Sequence, residues 1–233
     1  MKFIYNYNEI CQQNLISATW SGHALSRPIL GNTDIISNFK NDYFSTYYYQ
    51  NLDPEKIVIS LSGNFSEKLI SKLEDNFSNL KKTSNYSFDI PKLEYKHKYV
   101  SVQKNASQNF VMLGFPLYSY TDPKLFSFMI FNQLFGIGSS SKLFKELRVN
   151  HGLVYMVHSY SLIYKEGGLF IINASLPNMK DTDYLIEKIL LQTNYYRNKG
   201  INEDEFNICK LKLKGQMALN FENTKNRMLL YSP

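Results

Sequence analysis

The order of strand-like and helix-like patterns constrains this fold more than any other feature of the sequence. After residue 96, two β-prone runs come first, two helical patterns follow, and then two more β-prone runs precede two amphipathic helical patterns. Because the strands are grouped and do not alternate strictly with helices, the order predicts an α+β fold. We expect mixed, mainly antiparallel sheets with helices packed on one face. The β-prone runs lie at 98–102, 109–115, 154–161 and 169–174.

The first 80 residues carry a second set of patterns. Helical spacing of apolar residues covers 9–19 and resumes after an N-capping Asn32. A β-prone run at 56–61 ends at Gly63, and an amphipathic helix follows Ser66. Residues 81–91 are polar and rich in turn formers. The sequence therefore predicts a domain over 1–80, a linker over 81–95 and a second domain over 96–233, with both domains incomplete.

Composition excludes several classes of protein. Hydrophobic residues make up 44% of the 233-residue chain, which is enough for a packed core. The net charge of +6 is scattered, so no basic run indicates nucleic-acid binding. No stretch is long and apolar enough for a membrane span, and residues 1–6 lack the apolar stretch followed by small residues that is typical of a signal peptide. Cys11 and Cys209 are isolated, so we expect reduced thiols and no disulfide framework.

The residues that carry chemistry in other enzymes are not arranged for catalysis here. No two of the four histidines stand four residues apart, so no helix face offers two imidazoles to a metal ion. No Gly-x-Ser-x-Gly elbow surrounds a serine. A glycine-rich loop at 136–141 precedes a helix but lacks the lysine of a phosphate-binding loop, which favours a plain helix-to-helix turn. The histidines are His23, His97, His151 and His158.

Two segments of the first half are similar to one known family. Residues 22–31 read Gly-His-Ala-Leu-Ser-Arg-Pro-Ile-Leu-Gly, which resembles the Gly-His-Pro-Leu-Gly-Arg-Pro-Ile-Leu-Gly segment of pitrilysin/insulinase-type zinc peptidases. Ala24 and Ser26 depart from that pattern. Residues 57–65 resemble the strand and turn that precede the last helix of the family's first domain.

The second half carries a longer match to the same family. Residues 133–148 and 152–155 resemble the family's glycine-rich loop, the helix that follows it and the next Gly-Leu-x-Tyr. Lys142 stands where the family has Arg, and Val149 stands where it has Glu. Residues 220–228 resemble a further family motif that ends in Arg-Met. The chain is therefore identified as a member of the pitrilysin/insulinase family, of the mitochondrial-processing-peptidase kind.

The resemblance implies a zinc peptidase whose metal site lies outside this sequence. The family binds zinc through the two histidines of His-x-x-Glu-His and a later glutamate, and the glutamate of that motif is the general base. By alignment all of these would precede Met1. We therefore assign this chain no metal ligand and no catalytic residue, and we expect it to bind no zinc alone.

The resemblance also implies two substrate-binding residues, Arg148 and Tyr155. In the family, an Arg and a Tyr seven residues apart reach from the second domain across a chamber to the peptide substrate. A guanidinium offers a fixed fork of donors to a peptide carbonyl or carboxylate, and a Tyr hydroxyl can donate to an oxyanion. The alternative is that Arg148 pairs with an acid at the end of its helix and that Tyr155 is an ordinary strand aromatic.

Three hypotheses for the function stay open. The chain is either a fragment of a zinc metalloendopeptidase, inactive by itself, or a non-catalytic partner subunit that binds peptide and completes the chamber of an active subunit. A more distant option is an unrelated α+β binding module. The expected partners are a peptide or protein substrate and either a missing N-terminal segment or a catalytic subunit. The compartments compatible with a soluble chain of this kind are the bacterial cytoplasm or periplasm and the mitochondrial matrix.

Overall fold

A computed structural model describes residues 6–51, 53–80 and 90–230, which divide into two compact units. Unit 1 comprises Met1–Ile29 and Pro91–Lys214, and unit 2 comprises Leu30–Ile90 and Gly215–Pro233. Within the described residues the helices are α1 (Tyr7–Thr19), α2 (Thr33–Ser37), α3 (Asn41–Asn51), α4 (Glu67–Ser78), α5 (Lys124–Phe135), α6 (Thr182–Lys199), α7 (Glu203–Glu222) and α8 (Thr224–Leu230). The strands are β1 (Asn109–Leu117), β2 (Met156–Ile163) and β3 (Gly168–Leu176), and a π-helical segment spans Phe144–Asn150.

Unit 1 is built on a three-stranded antiparallel sheet in the order β1-β3-β2. The register pairs Asn109 with Leu176 on one side of β3 and Met156 with Ser175 on the other. Every residue of β3 is buried, which explains why its sequence is a nearly continuous apolar run and lacks alternation. The predicted α+β class and the antiparallel sheet are therefore confirmed.

One face of this sheet carries the larger hydrophobic core. Phe170, Ile172 and Ala174 of β3 point to this side, because alternate residues of a strand share a face. Helices α5 and α6 cover them with buried apolar side chains, among them Phe135 and Ile189. Aromatic rings meet edge to face in this core, and the rings of Phe131 and Phe135 stack 4.9 Å apart. The members with no exposed surface are Phe135, Leu143, Leu147, Val154, Ile172, Ala174, Leu176, Leu185 and Ile189.

Helix α1 covers the opposite face of the same sheet. The second hydrophobic cluster joins Trp20, which has no exposed surface, to Leu169 and Ile171 of β3. Polar side chains add contacts at this interface: the Tyr160 hydroxyl donates to Gln12 Oε1 over 2.8 Å, and burial raises the pKa of Tyr160 to about 12. Unit 1 therefore has helices on both faces of its sheet: α5 and α6 on one face and α1 on the other.

Unit 2 lacks a comparable core. Within its described residues no hydrophobic side chain is buried. All five aromatic residues of α3 are more than half exposed. The β-prone run 57–61 has no regular secondary structure and pairs with no strand in the described part of the chain. Its Ser60 hydroxyl donates to the Met228 carbonyl over 2.8 Å, which connects this run to α8.

Some predicted boundaries differ from the structure. The run predicted as a strand at 98–102 is irregular, because no other described segment hydrogen-bonds to it as a strand. Part of the predicted linker, 81–89, lies outside the described residues, whereas Leu93 and Tyr95 pack against Trp20 in unit 1. The division into domains at 1–80 and 96–233 stays a prediction. In the described residues no helix combines the length and the apolar character that crossing a membrane requires.

Candidate functional site

The candidate site in unit 1 begins at a glycine that permits close packing between two elements. Gly136 ends α5, and its carbonyl accepts a hydrogen bond from Ser159 N of β2 over 3.1 Å. A Cβ on Gly136 would lie 2.9 Å from Ser159 N and would overlap the Ser159 side chain. The Ser159 hydroxyl also donates to the buried Asn132 Oδ1. Because no side chain separates the two elements, α5 and β2 are held at a fixed distance.

The loop after Gly136 turns directly into the π-helical segment. Gly138 has φ +81°, a left-handed conformation that favours glycine. The Ser141 hydroxyl, almost fully buried, accepts from Phe144 N over 3.3 Å and so caps the start of the helix. Lys142 then forms an ion pair with Glu205 of α7 at 2.6 Å. The hydrogen bond from Lys142 holds the pKa of Glu205 below its ordinary value.

Arg148 lies in the last turn of the π-helical segment and is exposed. Its Nη1 donates to the Val154 carbonyl over 2.6 Å. The guanidinium carbon also lies 5.8 Å from the centre of the Tyr155 ring, a cation–π distance. This single protein hydrogen bond uses one of the five guanidinium donors, and the described residues contain no carboxylate within ion-pair distance of Arg148.

Tyr155 lies just before β2 and exposes 51% of its surface. Its backbone N–H donates to the Ser175 carbonyl over 2.8 Å, so the backbone is tied to β3 whereas the side chain remains accessible. The structure therefore brings together the two residues that the sequence singled out. An exposed cation and an exposed phenol ring, both on anchored backbone, form a small polar surface at this edge of unit 1.

The acid closest in sequence to Arg148 is engaged with other residues. Glu146 accepts from Asn150 Nδ2 over 3.1 Å and is bonded to His151 Nε2 over 3.0 Å. The hydrogen bond from Asn150, followed by that from His151, lowers the pKa of Glu146 below its ordinary value. The alternative in which Arg148 pairs with an acid at the end of its helix is thus not the arrangement found in the described residues.

The histidines do not fit a zinc site. Nδ1 of His23 accepts from Leu25 N and its Nε2 donates to the Pro91 carbonyl, so both ring nitrogens are used. His151 is bonded to Glu146, and His158 stacks on the Tyr160 ring. In the described part of the chain no group of three or more His, Cys, Asp or Glu residues is placed to hold a metal ion. No reaction step through a metal is therefore assigned to these residues.

Comparison with known proteins identifies the family. Residues 38–213 match the family described as "Peptidase M16 inactive domain", and the chain belongs to this family. The uncharacterized zinc protease YmxG of Bacillus subtilis (strain 168) is 27% identical over 221 residues, which cover 95% of this chain and 54% of that protein. An uncharacterized zinc protease of Rickettsia felis is 26% identical and covers 92% of this chain and 52% of that protein. The chain thus spans about half the length of these relatives.

Solved structures share the fold. A peptidase M16 inactive domain from Pseudomonas fluorescens superposes with a TM-score of 0.79 at 19% identity over 91% of this chain and 52% of that one. A protease from Helicobacter pylori gives a TM-score of 0.84 at 17% identity over 95% of this chain and 55% of that one. The resemblance to pitrilysin/insulinase-type peptidases is confirmed, and at the family level the chain is a peptidase-like fragment.

Sequence reasoning missed several residues that position the site. Ser159 and Asn132, which hold β2 against α5, gave no signal because a lone Ser or Asn in an apolar pattern has no distinctive spacing. The π-helical geometry was also missed, since the sequence predicted only a helix of unspecified type after the loop at 136–141. Such i→i+5 segments are frequent at functional sites, and here the segment carries Arg148. The substrate-binding role of Arg148 and Tyr155 stays a prediction.

Proposed function

We propose that this chain is the non-metal-binding part of a zinc metalloendopeptidase of the processing-peptidase kind. It presents Arg148 and Tyr155 to a peptide held in a closed chamber, and it hydrolyses nothing by itself. The observation that carries this proposal is the pairing of Arg148 with Tyr155 on an exposed edge of unit 1 in a member of the peptidase M16 family. The relatives named as zinc proteases support zinc as the metal of the intact enzyme.

Arg148 is suited to bind the peptide main chain. Its Nη1 bond to the Val154 carbonyl fixes the plane of the guanidinium, while its remaining donors are available to a carbonyl or a C-terminal carboxylate. Because the neighbouring Glu146 is bonded to Asn150 and His151, it does not compete for this cation. A pre-oriented fork loses less conformational entropy on binding than a free side chain does.

Tyr155 has a different role in the proposal. Its ring lies against the Arg148 guanidinium and thereby limits the directions that the guanidinium takes. Its hydroxyl would donate to the oxyanion that forms when water attacks the scissile carbonyl. The hydroxyl thus matters most during cleavage, whereas the guanidinium matters already when the peptide binds.

A second candidate is the non-catalytic partner subunit. In that case the same two residues bind peptide on behalf of a separate active chain. The two candidates make the same claim for this chain alone: it binds extended peptide and cleaves none.

The test measures binding and hydrolysis separately on the purified chain. Fluorescence anisotropy with labelled basic peptides should show binding, and a quenched-fluorescence assay should show no cleavage with or without added zinc. Arg148→Ala should weaken binding about tenfold or more, since a hydrogen bond to a charged group contributes roughly 1.5–3 kcal/mol. Tyr155→Phe should change binding by less than Arg148→Ala does.

Matched controls come from the same unit. Arg197→Ala removes another exposed arginine, and Tyr195→Phe removes the hydroxyl of a tyrosine that is 50% exposed, close to the value for Tyr155. Neither should affect peptide affinity. Cleavage that a chelator abolishes would contradict the proposal that the chain is inactive alone. Equal losses in Arg197→Ala and Arg148→Ala would show that only net charge matters and would contradict the assigned role of Arg148.

A further inference from the structure

We propose that the ion pair between Lys142 and Glu205 positions Arg148 against Tyr155, so that the substrate-binding pair depends on a contact made by helix α7. Lys142 and Glu205 are positioning residues in this proposal, because both act through Arg148 and neither touches the peptide. The proposal rests on the proposed function, since it names residues that prepare the same site. All four residues belong to unit 1.

The first observation is that Arg148 and Tyr155 are carried by two separately anchored parts of the chain. Tyr155 is tied to β3, because its backbone N–H donates to the Ser175 carbonyl over 2.8 Å. Arg148 lies in the last turn of the π-helical segment and reaches the strand side through its 2.6 Å bond to the Val154 carbonyl. The 5.8 Å between the guanidinium carbon and the Tyr155 ring centre therefore depends on where the π-helical segment is held relative to β2.

The second observation concerns what holds the start of the π-helical segment. Leu143 just before it and Leu147 within it have no exposed surface and belong to the larger core. Apolar contacts are non-directional, so they fix the buried face of the segment but define its position less sharply than a directed polar bond does. The preceding loop 136–141 contains only glycine, serine and one isoleucine, and glycine permits many backbone conformations. The loop therefore takes its position from contacts with other elements.

Helix α7 provides two such contacts. Lys142 Nζ lies 2.6 Å from Glu205 Oε1, and Lys212 Nζ donates to Ser140 Oγ over 3.0 Å. Glu205 and Lys212 are about two helical turns apart, so both lie on one side of α7. Hydrogen bonding to Glu205 raises the pKa of Lys142, which keeps the ammonium charged. The end of the loop and the first residue after it are thus attached to α7 at two points.

Glu205 is itself held in place by the start of α7. Its Oε2 accepts from Asn202 N over 3.3 Å, and Asn202 Oδ1 accepts from Glu205 N over 2.9 Å, which together form a capping box. One carboxylate oxygen is therefore engaged by the helix start and the other by Lys142. Ion pairs between freely moving surface side chains contribute little, because both side chains must be ordered. Here the acid is already ordered, so its contact with Lys142 has a defined direction.

The ion pair reaches the site through the helical stretch between Lys142 and Arg148. The stretch is short and continuous, so a displacement at its start is passed on to its last turn. Misplacement of a binding group by about 1 Å is enough to weaken its interactions strongly. Without the ion pair, the guanidinium would lose its defined position over the Tyr155 ring while keeping its charge.

The first measurement reads the position of Arg148 without any peptide. In nuclear magnetic resonance spectra of ¹⁵N-labelled protein, the Tyr155 ring should shift the Nε–H signal of Arg148, and Tyr155→Leu should remove that shift. Lys142→Met keeps a long stem but removes the charge, so it should move the signal towards its position in Tyr155→Leu. Lys142→Arg keeps a cation and should leave the signal in place. The spectrum is simple because the chain has four arginines: Arg27, Arg148, Arg197 and Arg227.

The second measurement is peptide affinity, by fluorescence anisotropy with the same labelled peptides. Lys142→Met and Glu205→Gln should each weaken binding about fivefold, which is less than for Arg148→Ala because the guanidinium is still present. Glu205→Gln separates the two roles of the acid, since glutamine also serves in a capping box but forms no ion pair. Lys142→Arg should bind within about twofold of the parent chain.

A double-mutant comparison tests whether the ion pair acts through Arg148. In the Arg148→Ala background, Lys142→Met should change peptide affinity by less than about twofold, because residues that act as one unit are not additive. Glu203→Gln and Lys214→Met are the matched controls on α7. In the described residues neither Glu203 nor Lys214 has an ion pair or a side-chain hydrogen bond with the loop 136–141. Both controls should preserve the Arg148 signal and the affinity.

Each outcome supports or overturns the positioning role. A moved Arg148 signal together with a non-additive loss of affinity supports it. A signal that stays in place in both Lys142→Met and Glu205→Gln overturns it. Equal losses from Lys142→Met in the parent and in Arg148→Ala also overturn it, since the ion pair would then act independently of Arg148. If the signal moves but Arg148→Ala leaves peptide affinity unchanged, the proposed function fails and the positioning of Arg148 by the ion pair remains.

Discussion

Units 1 and 2 differ in how completely they bury their apolar residues. Unit 1 places both faces of a three-stranded sheet under helices, and many of its core side chains have no exposed surface. In the described part of unit 2, α3 and α4 also carry many apolar side chains, yet these side chains remain exposed. The difference lies in the sheet: unit 1 has one, whereas the described residues of unit 2 contain no paired strand.

This difference has a physical reason. An amphipathic helix buries its apolar stripe only when another layer is present, and a β-prone run that pairs with no strand does not form such a layer. Unit 1 gains a second covered face because Tyr7–Thr19 packs on its sheet. We therefore expect unit 1 to unfold cooperatively as an independent domain and unit 2 to gain stability from a partner.

The largest expected effect contrasts two phenylalanines. Phe135→Ala should lower the free energy of unfolding of unit 1 by about 3–5 kcal/mol, because the ring is fully buried among other aromatics. Phe44→Ala should change stability by no more than about 0.5 kcal/mol, since Phe44 is 60% exposed. Urea unfolding of both variants, followed by fluorescence and circular dichroism, measures the difference.

Trp20 makes the measurement specific. It is the one tryptophan of the chain and is fully buried in unit 1, so its fluorescence reports that unit. Circular dichroism reports the helices of both units. The comparison would fail if Phe44→Ala proved as destabilising as Phe135→Ala, because unit 2 would then contain a closed core in solution.

A smaller effect is expected at Gly136. Gly136→Ala should cost about 1–3 kcal/mol, because its Cβ would press on Ser159 atoms that include the backbone nitrogen. Gly215→Ala is the control, since no atom lies within 4 Å of its added Cβ and it sits inside α7. That substitution should raise stability by about 0.5–1 kcal/mol. Equal behaviour of the two alanines in thermal unfolding would show that the α5–β2 contact does not stabilise unit 1.

The smallest effect is a pH dependence at His158. Burial lowers the pKa of His158 below its ordinary value of 6.5, so the unfolded chain binds a proton more readily than the folded chain. The resulting stability is present above pH 6.5 and is lost as the pH falls through the folded pKa. His158→Gln should make the free energy of unfolding less dependent on pH in this range, as measured by urea titrations of Trp20 fluorescence.

The control for this last prediction is His97→Gln. His97 is exposed in the irregular segment of unit 1, so its replacement should preserve the pH dependence of the parent chain. If His97→Gln and His158→Gln had the same slope against pH, the sheet face beneath α1 would be open to water. That result would show that the sheet of unit 1 is less completely covered than the structure indicates, and it would reduce the difference between units 1 and 2.

Much of unit 1 could be predicted from local patterns. The pattern of apolar residues located β1, β2 and β3 to within a few residues, and helical spacing predicted two helices after β3, where the structure has α6 and α7. The family motif predicted that Arg148 and Tyr155 act together, and the structure places their side chains next to each other. These features depend on neighbours in sequence, and that is why the sequence was sufficient for them.

Other features depended on partners that a pattern does not identify. The runs at 57–61 and 98–102 are both β-prone, but neither became a paired strand, because pairing depends on a second segment and not on propensity. Arg148 donates to the Val154 carbonyl, whereas Glu146 is bonded to Asn150 and His151, and these partners are visible only in three dimensions.

The amino-acid sequence by itself determined the family, the element types of unit 1 and the residues most worth testing. The tertiary structure decided which surfaces are covered: it placed α1 on the second face of the sheet and left α3 and α4 of unit 2 exposed. The physical reason is that periodicity records which face of an element is apolar, whereas burial depends on whether another layer packs against that face.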